Sequence, residues 1–435
     1  MSDNLPPGSY GLPLLGETLA WAGDPFGFMQ TRFEKHGPVF KTKLFGNETA
    51  CFVDAEGWSR FLDEGYILRE DGVAPHLSKL VGQTTLPFVD GATHKRHKKL
   101  LLEAFKPGPM RGYVPAVMPI FDRYFDKWAK RGQLSIYPEI ERMTLVMFNT
   151  LFAGMDPEKE DPEFQRQLDT FMAGILALPL PFGAYKKGLA AHDWLVDYLL
   201  ALVEERRENP GADSISFMIG AKDDDGNGLT NQQIADELVH VYFAGYGAMS
   251  ANYGYALIAL AKHPEVRDRL LAEIQDKTSA EPTFDELLGL EYAGQFFKEL
   301  MRFYPVVPQT FFGRVVKPFE IHGYQIPEGW KATGVVGAAL YDPARFSKPE
   351  VFDPDRFGPD RKEDEPAPHT FVPQGGGPPE GHRCLGESVS ALVMKIFLTR
   401  LLPHYSCELT EEPGLARTFP ASPKGGVPVR FQKKT

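Results

Sequence analysis

The feature that most constrains this chain is a glycine-rich segment that places a cysteine at the start of an amphipathic helix. Residues 371–387 read FVPQGGGPPEGHRCLGE, and apolar residues follow Cys384 at helical spacing until Pro403 breaks the helix. A helix N-terminus offers backbone N–H groups and the positive end of the helix dipole, and both stabilise a thiolate. Glycines let the backbone approach a flat macrocycle closely. The segment therefore suits an axial thiolate ligand to haem iron, which favours O–O cleavage.

Three other interpretations of this segment follow from the same residues. Its glycines resemble a phosphate-binding loop, but no Gly-Lys-Ser/Thr follows them and no strand leads directly into them. His382 and Cys384 are zinc-ligand types, but a zinc site needs three or four ligands and the sequence offers no partner pair. A lone cysteine is also commonly a buried apolar residue. The loop by itself leaves that last interpretation open.

Composition limits the compartment and the class of partner. Cys51, Cys384 and Cys407 are odd in number and widely spaced, which argues against a disulfide framework and for a reducing compartment. The N-terminal residues lack the apolar core of a signal peptide, and no stretch reaches the roughly 20 apolar residues that span a bilayer. We therefore expect a cytoplasmic protein with no membrane anchor. The net charge of −11 disfavours a nucleic-acid partner.

Hydrophobic spacing predicts a mainly α protein with small β-sheets. A short helix is predicted over 25–36, and alternation over 38–53 around a Gly-Asn turn predicts a hairpin. Helical patterns dominate 93–274 and include one long helix over 231–263. Further along, the patterns predict a helix over 287–304, strands over 313–340, a proline-rich coil over 341–383 and a last helix over 385–402.

Two charged motifs precede the cysteine segment. In Glu299-Leu-Met-Arg302 the acid and the base share one helix face at i and i+3 and can form an ion pair. Taken alone, such a pair is usually a surface feature. The motif Phe352-Asp-Pro-Asp-Arg356-Phe357 offers a second arginine from a coil.

Together, in this order, the three motifs resemble the cytochrome P450 superfamily. The resemblance begins at LPPG over residues 5–8, includes AKHPEVRDRLL over 261–271, and covers nearly the whole chain. It implies the cytochrome P450 fold as one domain over residues 1–435, with haem b (iron protoporphyrin IX) as cofactor and Cys384 as the ligand of its iron. It also implies a buried network of Glu299, Arg302 and Arg356, kept for geometry rather than for net stability.

The resemblance further implies donors to the haem propionates. His382 stands two residues before the cysteine, and Arg314 follows the Glu299 helix. His94 and Lys98 stand where the family usually has Trp and then Arg, so both are departures. His94 retains a hydrogen-bond donor, and Lys98 supplies a point charge rather than a planar fork. For Lys98 the alternative is a solvated lysine in a basic run.

The long helix departs from the family at the positions that activate oxygen. Residues 243–250 read FAGYGAMS, and Gly247 and Ala248 stand where an acid and then a Thr usually relay protons. Neither residue has a hydrogen-bonding side chain. Tyr246 or Ser250 are candidate substitutes, although each is displaced in sequence and points to another helix face. Ordinary oxygen activation is therefore in doubt.

Two branches of the family share local features with this chain. The cysteine loop, with Gly377 in place of the usual Phe, is similar to that of bacterial fatty-acid peroxygenases, but the arginine that anchors a fatty acid there is missing from residues 231–262. The N-terminal third resembles retinoid- and sterol-oxidising branches. These likenesses imply a hydrophobic substrate such as a terpenoid, steroid or fatty acid. Candidates to line its pocket are Phe88, Phe171, Leu176, Leu178, Phe182 and residues 308–312.

The function hypotheses differ in their chemistry. The first is a haem-thiolate monooxygenase or peroxygenase that oxidises (hydroxylates) a hydrophobic small molecule. The second is a non-redox haem-thiolate enzyme that rearranges or dehydrates a peroxide or an oxime-like substrate. A haem sensor or carrier is the third, and it has little need of a thiolate. For the first we expect a monomer supplied by a ferredoxin, a flavodoxin or hydrogen peroxide. A basic face of Arg96, Lys98, Lys99, Arg383 and Lys395 would receive an electron donor.

Overall fold

The computed structural model describes residues 4–13, 15–175, 177–416 and 420–434. Its helices are α1 Thr18–Gly23, α2 Pro25–His36, α3 Ala55–Phe61, α4 Pro75–Val81, α5 Gly91–Leu101, α6 Pro107–Arg131, α7 Tyr137–Ala153, α8 Pro162–Ile175, α9 Ala184–Glu208, α10 Ser214–Gly220, α11 Asn231–Val241, α12 Gly247–Lys262, α13 Pro264–Lys277, α14 Phe284–Leu288, α15 Glu291–Phe303, α16 Gly337–Leu340 and α17 Glu387–Leu401. Short 3₁₀ turns span Leu86–Phe88, Leu102–Phe105 and Pro354–Phe357.

The strands form small sheets around this helical body. They are β1 Val39–Leu44, β2 Asn47–Phe52, β3 Ile67–Leu68, β4 Gln133–Ser135, β5 Gly313–Val315, β6 Phe319–Ile321, β7 Tyr324–Ile326, β8 Lys331–Gly334, β9 Tyr405–Leu409, β10 Gly414–Ala416, β11 Ser422–Lys424 and β12 Pro428–Lys433. One mixed sheet has the order β1-β2-β8-β5-β3, and others pair β4-β12-β9, β6-β7 and β10-β11. The predicted mainly α class is confirmed.

Local sequence signals account for several element boundaries. The carboxylate of Asp24 accepts a hydrogen bond from Gly27 N at 2.9 Å and caps α2, with Pro25 in the first turn where its missing N–H costs nothing. The predicted hairpin is confirmed, since β1 and β2 pair antiparallel in a register that joins Leu44 to Asn47. Gly46 sits in its turn at φ +79°, a conformation that favours glycine.

Two sequence predictions are wrong in detail. The helix predicted over 287–304 is divided between two helices, α14 and α15. The side chain of Thr283 caps the start of α14 in a reciprocal pair with Glu286, and α14 ends at Leu288. Residues 337–340, predicted as strand, form the buried helix α16, where Gly337 contacts the ring of Phe26 too closely for a larger side chain.

The long helix predicted over 231–263 is interrupted. A π-helical segment, Tyr242–Tyr246, separates α11 from α12. Such segments insert an extra residue into the helical ladder and occur frequently at functional sites. The face of α12 that continues past this segment is therefore rotated relative to a regular helix.

Buried side chains form one large helical core and a smaller cluster around the mixed sheet. The helical core includes most of α6, α7, α12, α15 and α17, and the sheet cluster includes Phe40, Phe52 and Trp58. The loop that carries Cys384 enters α17 beside the helical core. Among the residues that the structure describes, no helix is both long enough and apolar enough to cross a membrane.

Candidate active site

A cavity of about 380 Å³ lies between the long helix and the cysteine loop. Most of its wall is apolar. The apolar lining residues include Phe61, Leu62, Leu86, Phe105, Met147, Phe148, Leu151, Phe152, Val241, Met249, Met301, Val306, Val307, Phe311, Val389 and Val393. Gly245 also lines the cavity, and a Cβ at this position would lie 2.8 Å from the ring of Phe148. Glycine therefore allows α7 to approach the long helix at this point.

Cys384 lies in the wall of this cavity. Its backbone N–H donates to the carbonyl oxygen of Gln374 at 2.9 Å, which folds the loop back on itself. Gly375 and Gly377 turn the loop at φ +81° and +90°, where larger residues are strained. The side chain is exposed to the cavity, and desolvation by the surrounding protein raises the pKa of its thiol. The Gly386 amide and the Lys98 ammonium oppose that rise.

Lys98 contacts the cysteine loop directly. Its Nζ donates to the carbonyl oxygen of Gly381 at 2.6 Å and to that of Arg383. The side chain is only 1% exposed, and burial lowers the pKa of Lys98 to about 8. The alternative of a solvated lysine is therefore wrong. Lys98 is a buried cation that connects α5 to the loop of Cys384.

His94 and His382 meet at one end of the cavity. Their ring centroids are 4.0 Å apart with the ring planes tilted by 33°, and both residues line the wall. His382 Nε2 also lies 3.3 Å from Asp90 Oδ1. Burial, together with the nearby His382 and Lys98, lowers the pKa of His94 to about 3, so its ring is neutral.

Arg314 is not in the cavity wall as the described residues define it, and Arg69 takes that place. The strand register sets Arg314 beside Leu68 and Lys331. The neighbouring Gly313 leaves room for the guanidinium of Arg69, whose Nη1 would lie 2.8 Å from a Cβ at that position. Nε of Arg314 is nevertheless buried without a hydrogen-bond partner in the described residues, so its role as a propionate donor stays a prediction. Arg69 was missed because it follows β3, a two-residue strand that is too short to show a pattern.

The residues at this end of the cavity fit the carboxylates of a bound porphyrin. Arg69 Nη1 and His94 Nδ1 are buried without a hydrogen-bond partner in the part of the chain that the structure describes. Burial lowers the pKa of Arg69 to about 10, which means that its charge is poorly compensated there. Buried donors of this kind are stabilised by an anionic partner. Haem propionates would supply one.

Glu299, Arg302 and Arg356 form one buried network. Glu299 Oε2 lies 2.7 Å from Arg302 Nε and 3.0 Å from Arg356 Nε, and all three side chains are fully buried. The surface interpretation of the Glu299–Arg302 pair is therefore wrong. Arg356 also donates to Glu363 Oε2 at 2.7 Å, a fourth member that sequence analysis missed. Although burial opposes it, hydrogen bonds from Ser347, Arg361 and Arg356 lower the pKa of Glu363 to about 2.

The long helix presents Ala248, not Tyr246 or Gly247, to the cavity. Neither Tyr246 nor Gly247 is among the described residues of the wall, and a Cβ at Gly247 would face Pro420 at 3.7 Å. Tyr246 is buried with its ring 6.4 Å from that of Phe148. The hydroxyl of Ser250 donates to Tyr246 O at 2.9 Å. Neither candidate substitute for the missing proton donor therefore reaches the cavity.

Two polar residues of this helix that sequence analysis missed do line the cavity. They are His240 and Asn252. Residues 240, 244, 248 and 252 follow one another at the i, i+4 spacing of a helix face, and this signal was available in the sequence. The Oδ1 atom of Asn252 is buried with no hydrogen-bond partner in the described part of the chain.

The proposed pocket residues have mixed outcomes. Thr310 and Phe311 line the cavity, and Phe88 packs against Phe311 in a small adjacent cluster. Phe171 belongs to the helical core. Leu178 and Phe182 are 75% and 67% exposed, so their placement in the pocket is wrong. Leu176 lies outside the described residues.

The predicted basic face is largely neutralised. Arg96 pairs with Asp223 and Lys99 with Asp224, each at 2.6 Å, and Arg383 pairs with Glu387. Lys98 is buried against the cysteine loop. Asp223 and Asp224 supply two of these partners because the loop that carries them folds back onto α5. A strongly cationic docking face is therefore not supported by the geometry.

Comparison with known proteins agrees with this arrangement. The sequence model of the family Cytochrome P450 matches residues 6–425. The chain is 30% identical to "Putative cytochrome P450 120" of Synechocystis sp., over 97% of this chain and 94% of that protein. It is 28% identical to "Beta-amyrin 28-monooxygenase" of Medicago truncatula, over 98% of this chain and 92% of that protein.

A solved structure has the same fold along its whole length. The structure "Retinoic acid bound cyanobacterial CYP120A1" superposes with a TM-score of 0.91 at 28% identity and covers 100% of both chains. The fold, the cysteine loop and the family match over residues 6–425 lead to one conclusion. The chain belongs to the cytochrome P450 family, an enzyme family that carries out haem-thiolate oxidation with haem b as its cofactor.

Proposed function

We propose that this protein is a monooxygenase or peroxygenase that hydroxylates a hydrophobic small molecule. The observation that carries the proposal is the position of Cys384 in the wall of a mostly apolar cavity. When bound, the haem supplies the oxidising chemistry, and the protein supplies binding, orientation and electrostatics. The substrate would contact the apolar wall and exclude water from it.

The residues of the chain divide into groups by role. Cys384 is the metal ligand, with its charge favoured by the Gly386 amide and the Lys98 ammonium. The cofactor-binding donors to the propionates are His382, His94 and Arg314, with Arg69 beside them. Lys98 acts on the loop rather than on a propionate, since both of its hydrogen bonds go to loop carbonyls.

The buried acid–base network has a structural role. Arg302 donates to the backbone carbonyls of Leu340 and Pro349 at 3.0 and 2.8 Å, and Glu299 accepts from Asp353 N at 2.8 Å. The network therefore joins α15 to the coil that precedes the cysteine loop. This connection fixes the loop relative to the helical core, which is where the cofactor must sit.

An isoprenoid-like substrate is favoured. One relative is a beta-amyrin 28-monooxygenase, and a structural neighbour at 28% identity has retinoic acid bound. Both ligands are terpenoid and largely apolar. Aromatic and branched side chains such as Phe148, Phe311 and Val393 give this cavity a wall that suits such a molecule. Steroids and fatty acids are the other members of the proposed class.

A non-redox reaction that rearranges or dehydrates a peroxide or an oxime-like substrate is the second candidate. The observation that favours it is Ala248, which faces the cavity at the position where the family usually has a Thr hydroxyl. With Gly247 beside it, the helix offers no acid–alcohol pair. A reaction whose oxidant brings its own protons, or that rearranges a peroxide or oxime, does not need that pair.

The test is a substrate panel read by the haem spectrum and by product analysis. Terpenoids, steroids and fatty acids are titrated into the ferric protein, and each ligand that shifts the spectrum is incubated with hydrogen peroxide or with a ferredoxin and its reductase. We expect a hydroxylated terpenoid from at least one oxidant. Rearranged or dehydrated product without added oxidant would favour the second candidate.

A matched pair of variants controls for the ligand assignment. Cys384→Ser should lose the thiolate signature of the ferrous carbon monoxide spectrum, while Cys407→Ser should retain it. Cys407 lies on β9 and not in the cavity wall that the described residues form. The reverse result would overturn the assignment of Cys384.

A further inference from the structure

Three buried titratable side chains extend from the cavity wall across α11 to α5. His240 lines the cavity, and its Nδ1 lies 3.1 Å from Glu237 Oε2. The other carboxylate oxygen, Oε1, accepts a hydrogen bond from the backbone N–H of Leu86 at 2.8 Å and faces His97 Nδ1 at 3.9 Å. The exposed fractions of His240, Glu237 and His97 are 8%, 2% and 4%. None of the three is among the residues proposed to hold the haem or the cysteine loop.

The protonation of His97 is set by the helix N-cap. In the capping box of α11, Gln233 Oε1 accepts from Thr230 N at 2.9 Å, which fixes the orientation of that side-chain amide. Gln233 Nε2 then lies 3.3 Å from His97 Nε2 and must be the donor. His97 Nε2 is therefore the acceptor, and the proton of the neutral ring is on Nδ1, facing Glu237. Burial lowers the pKa of His97, while Glu237 opposes and Arg96 adds to the effect.

The state of His240 follows from the same hydrogen bonds. A carboxylate at Glu237 satisfies the Leu86 amide and accepts from His240 Nδ1–H. Nε2 of His240 is on the opposite edge of the ring and has the lone pair. A carboxylate that holds one edge of an imidazole fixes its tautomer and stabilises the imidazolium that forms when the other edge takes a proton.

We propose that His240 is the general acid–base residue of this cavity, held by Glu237 and, through Glu237, by His97. The inference rests on the proposed function and deepens it. His240 lies eight residues before Ala248, on the helix face where the acid–alcohol pair is missing and Ala244 and Ala248 also meet the cavity. Among the described residues of that face, His240 is the one with an imidazole that can both accept and donate a proton.

With hydrogen peroxide as oxidant, the proton balance closes within the site. Nε2 of His240 takes the proton from one peroxide oxygen and returns it to the other, which leaves as water when the O–O bond breaks. The remaining oxygen atom goes to the substrate C–H, which is oxidised by two electrons as the peroxide is reduced. The sum is RH + HOOH → ROH + H₂O, with no net proton taken from solvent. Glu237 and His97 remain positioning residues throughout.

The first test needs no turnover. Cyanide enters as HCN, and a base in the cavity must accept its proton before the anion binds ferric haem. Stopped-flow association of cyanide with the holoenzyme should slow by about 100-fold in His240→Gln, since a positioned acid–base group contributes typically 10²–10⁴-fold. Glu237→Gln, which keeps an acceptor for the Leu86 amide, should give a smaller loss. The control His263→Gln changes a histidine that stacks on Phe352 away from the cavity and should leave the rate unchanged.

The second test separates acid–base chemistry from substrate binding. In peroxide-driven turnover, His240→Gln should lower kcat with KM, haem content and substrate-induced spectral shift retained. His97 lies beyond hydrogen-bond distance of the Glu237 carboxylate. His97→Gln is therefore a milder variant to use if Glu237→Gln fails to fold. An unchanged cyanide rate in His240→Gln would overturn the proposal. So would a normal cyanide rate with lost substrate binding, which would make His240 a substrate ligand.

The cyanide result also stands apart from the broader functional proposal. If no compound of the panel is hydroxylated but cyanide association still depends on His240, the acid–base assignment is retained and the hydroxylase proposal fails. If hydroxylation is found and cyanide association is indifferent to His240, the hydroxylase proposal is retained and the acid–base assignment fails.

Discussion

Lys98 Nζ donates a hydrogen bond to the carbonyl oxygen of Gly381 at 2.6 Å, and this contact holds α5 against the loop that carries Cys384. The ammonium is buried and also donates to Arg383 O. Lys98→Met keeps the apolar stem but leaves these buried carbonyls without their donor, which typically costs about 1–3 kcal/mol. We expect that loss of unfolding free energy in urea, together with weaker haem retention.

The matched control for this prediction is the next residue. Lys99→Met removes an exposed lysine whose partner Asp224 is also exposed, so the change in unfolding free energy should stay within about 0.5 kcal/mol. Equal stability and haem retention in the two variants would show that the buried contact contributes nothing to the loop.

Removal of Glu299 should be far more damaging than removal of an exposed glutamate on the same helix. Glu299→Ala leaves the guanidinium groups of Arg302 and Arg356 buried without their shared carboxylate, and breaking such a pair typically costs about 3–5 kcal/mol. Most of the expressed protein should lack haem. Glu291→Ala, in the exposed first turn of α15, should cost less than about 1 kcal/mol. Normal folding and haem content in Glu299→Ala would contradict the structural role.

Short-range signals predicted much of the fold, and long-range contacts explain most of what was missed. The N-cap Asp24 and the turn at Gly46 are local, so α2 and the first hairpin follow from a few neighbouring residues. The position of Arg69 in the cavity wall depends on how β3 pairs with β5, two strands far apart in the chain. The π segment arises from backbone hydrogen bonds that hydrophobic spacing does not register.

The site shows the same division. The cysteine loop and the Glu299 and Arg356 motifs were found because each is a compact pattern with a known order along the chain. The i, i+4 spacing of His240 to Ala244 and Ala248 was present in the sequence, but helical spacing alone does not distinguish a cavity wall from the packed core. Its link to His97 joins α11 to α5 and has no local signature.

Glu363 should make the stability of the protein depend on acid pH in a defined window. Its pKa falls from an ordinary 4.5 to about 2 in the folded state, so the folded state favours the carboxylate. The contribution is therefore complete above about pH 5 and is lost as the pH falls from about 4.5 towards 2. Because part of this carboxylate faces solvent, we expect about 1–2 kcal/mol.

The measurement is the difference in unfolding free energy between the wild type and Glu363→Gln. It should be constant between pH 8 and pH 6 and smaller at pH 4. The control Glu365→Gln changes a carboxylate that pairs with Lys362 on the surface, and it should show no such trend. A difference that grows on acidification would have the wrong sign for a lowered pKa.

Restoring an acid–alcohol pair should change how the enzyme uses its oxidant. Ala248 faces the cavity, and a Cβ at Gly247 would lie at an ordinary contact distance from Pro420. The first atoms of both new side chains therefore fit in the double variant Gly247→Asp with Ala248→Thr. A positioned general acid is worth roughly 10²–10⁴-fold in proton transfer. We expect the wild type to show measurable peroxide-driven turnover and uncoupled oxygen consumption with a surrogate ferredoxin system. The double variant should form more product per electron consumed and gain less from peroxide.

The control Gly247→Ala with Ala248→Val adds similar bulk without a proton donor and should not improve coupling. Tight coupling in the wild type, no peroxide activity and no gain in the double variant would mean that another donor already serves dioxygen, and the peroxygenase alternative would then be abandoned.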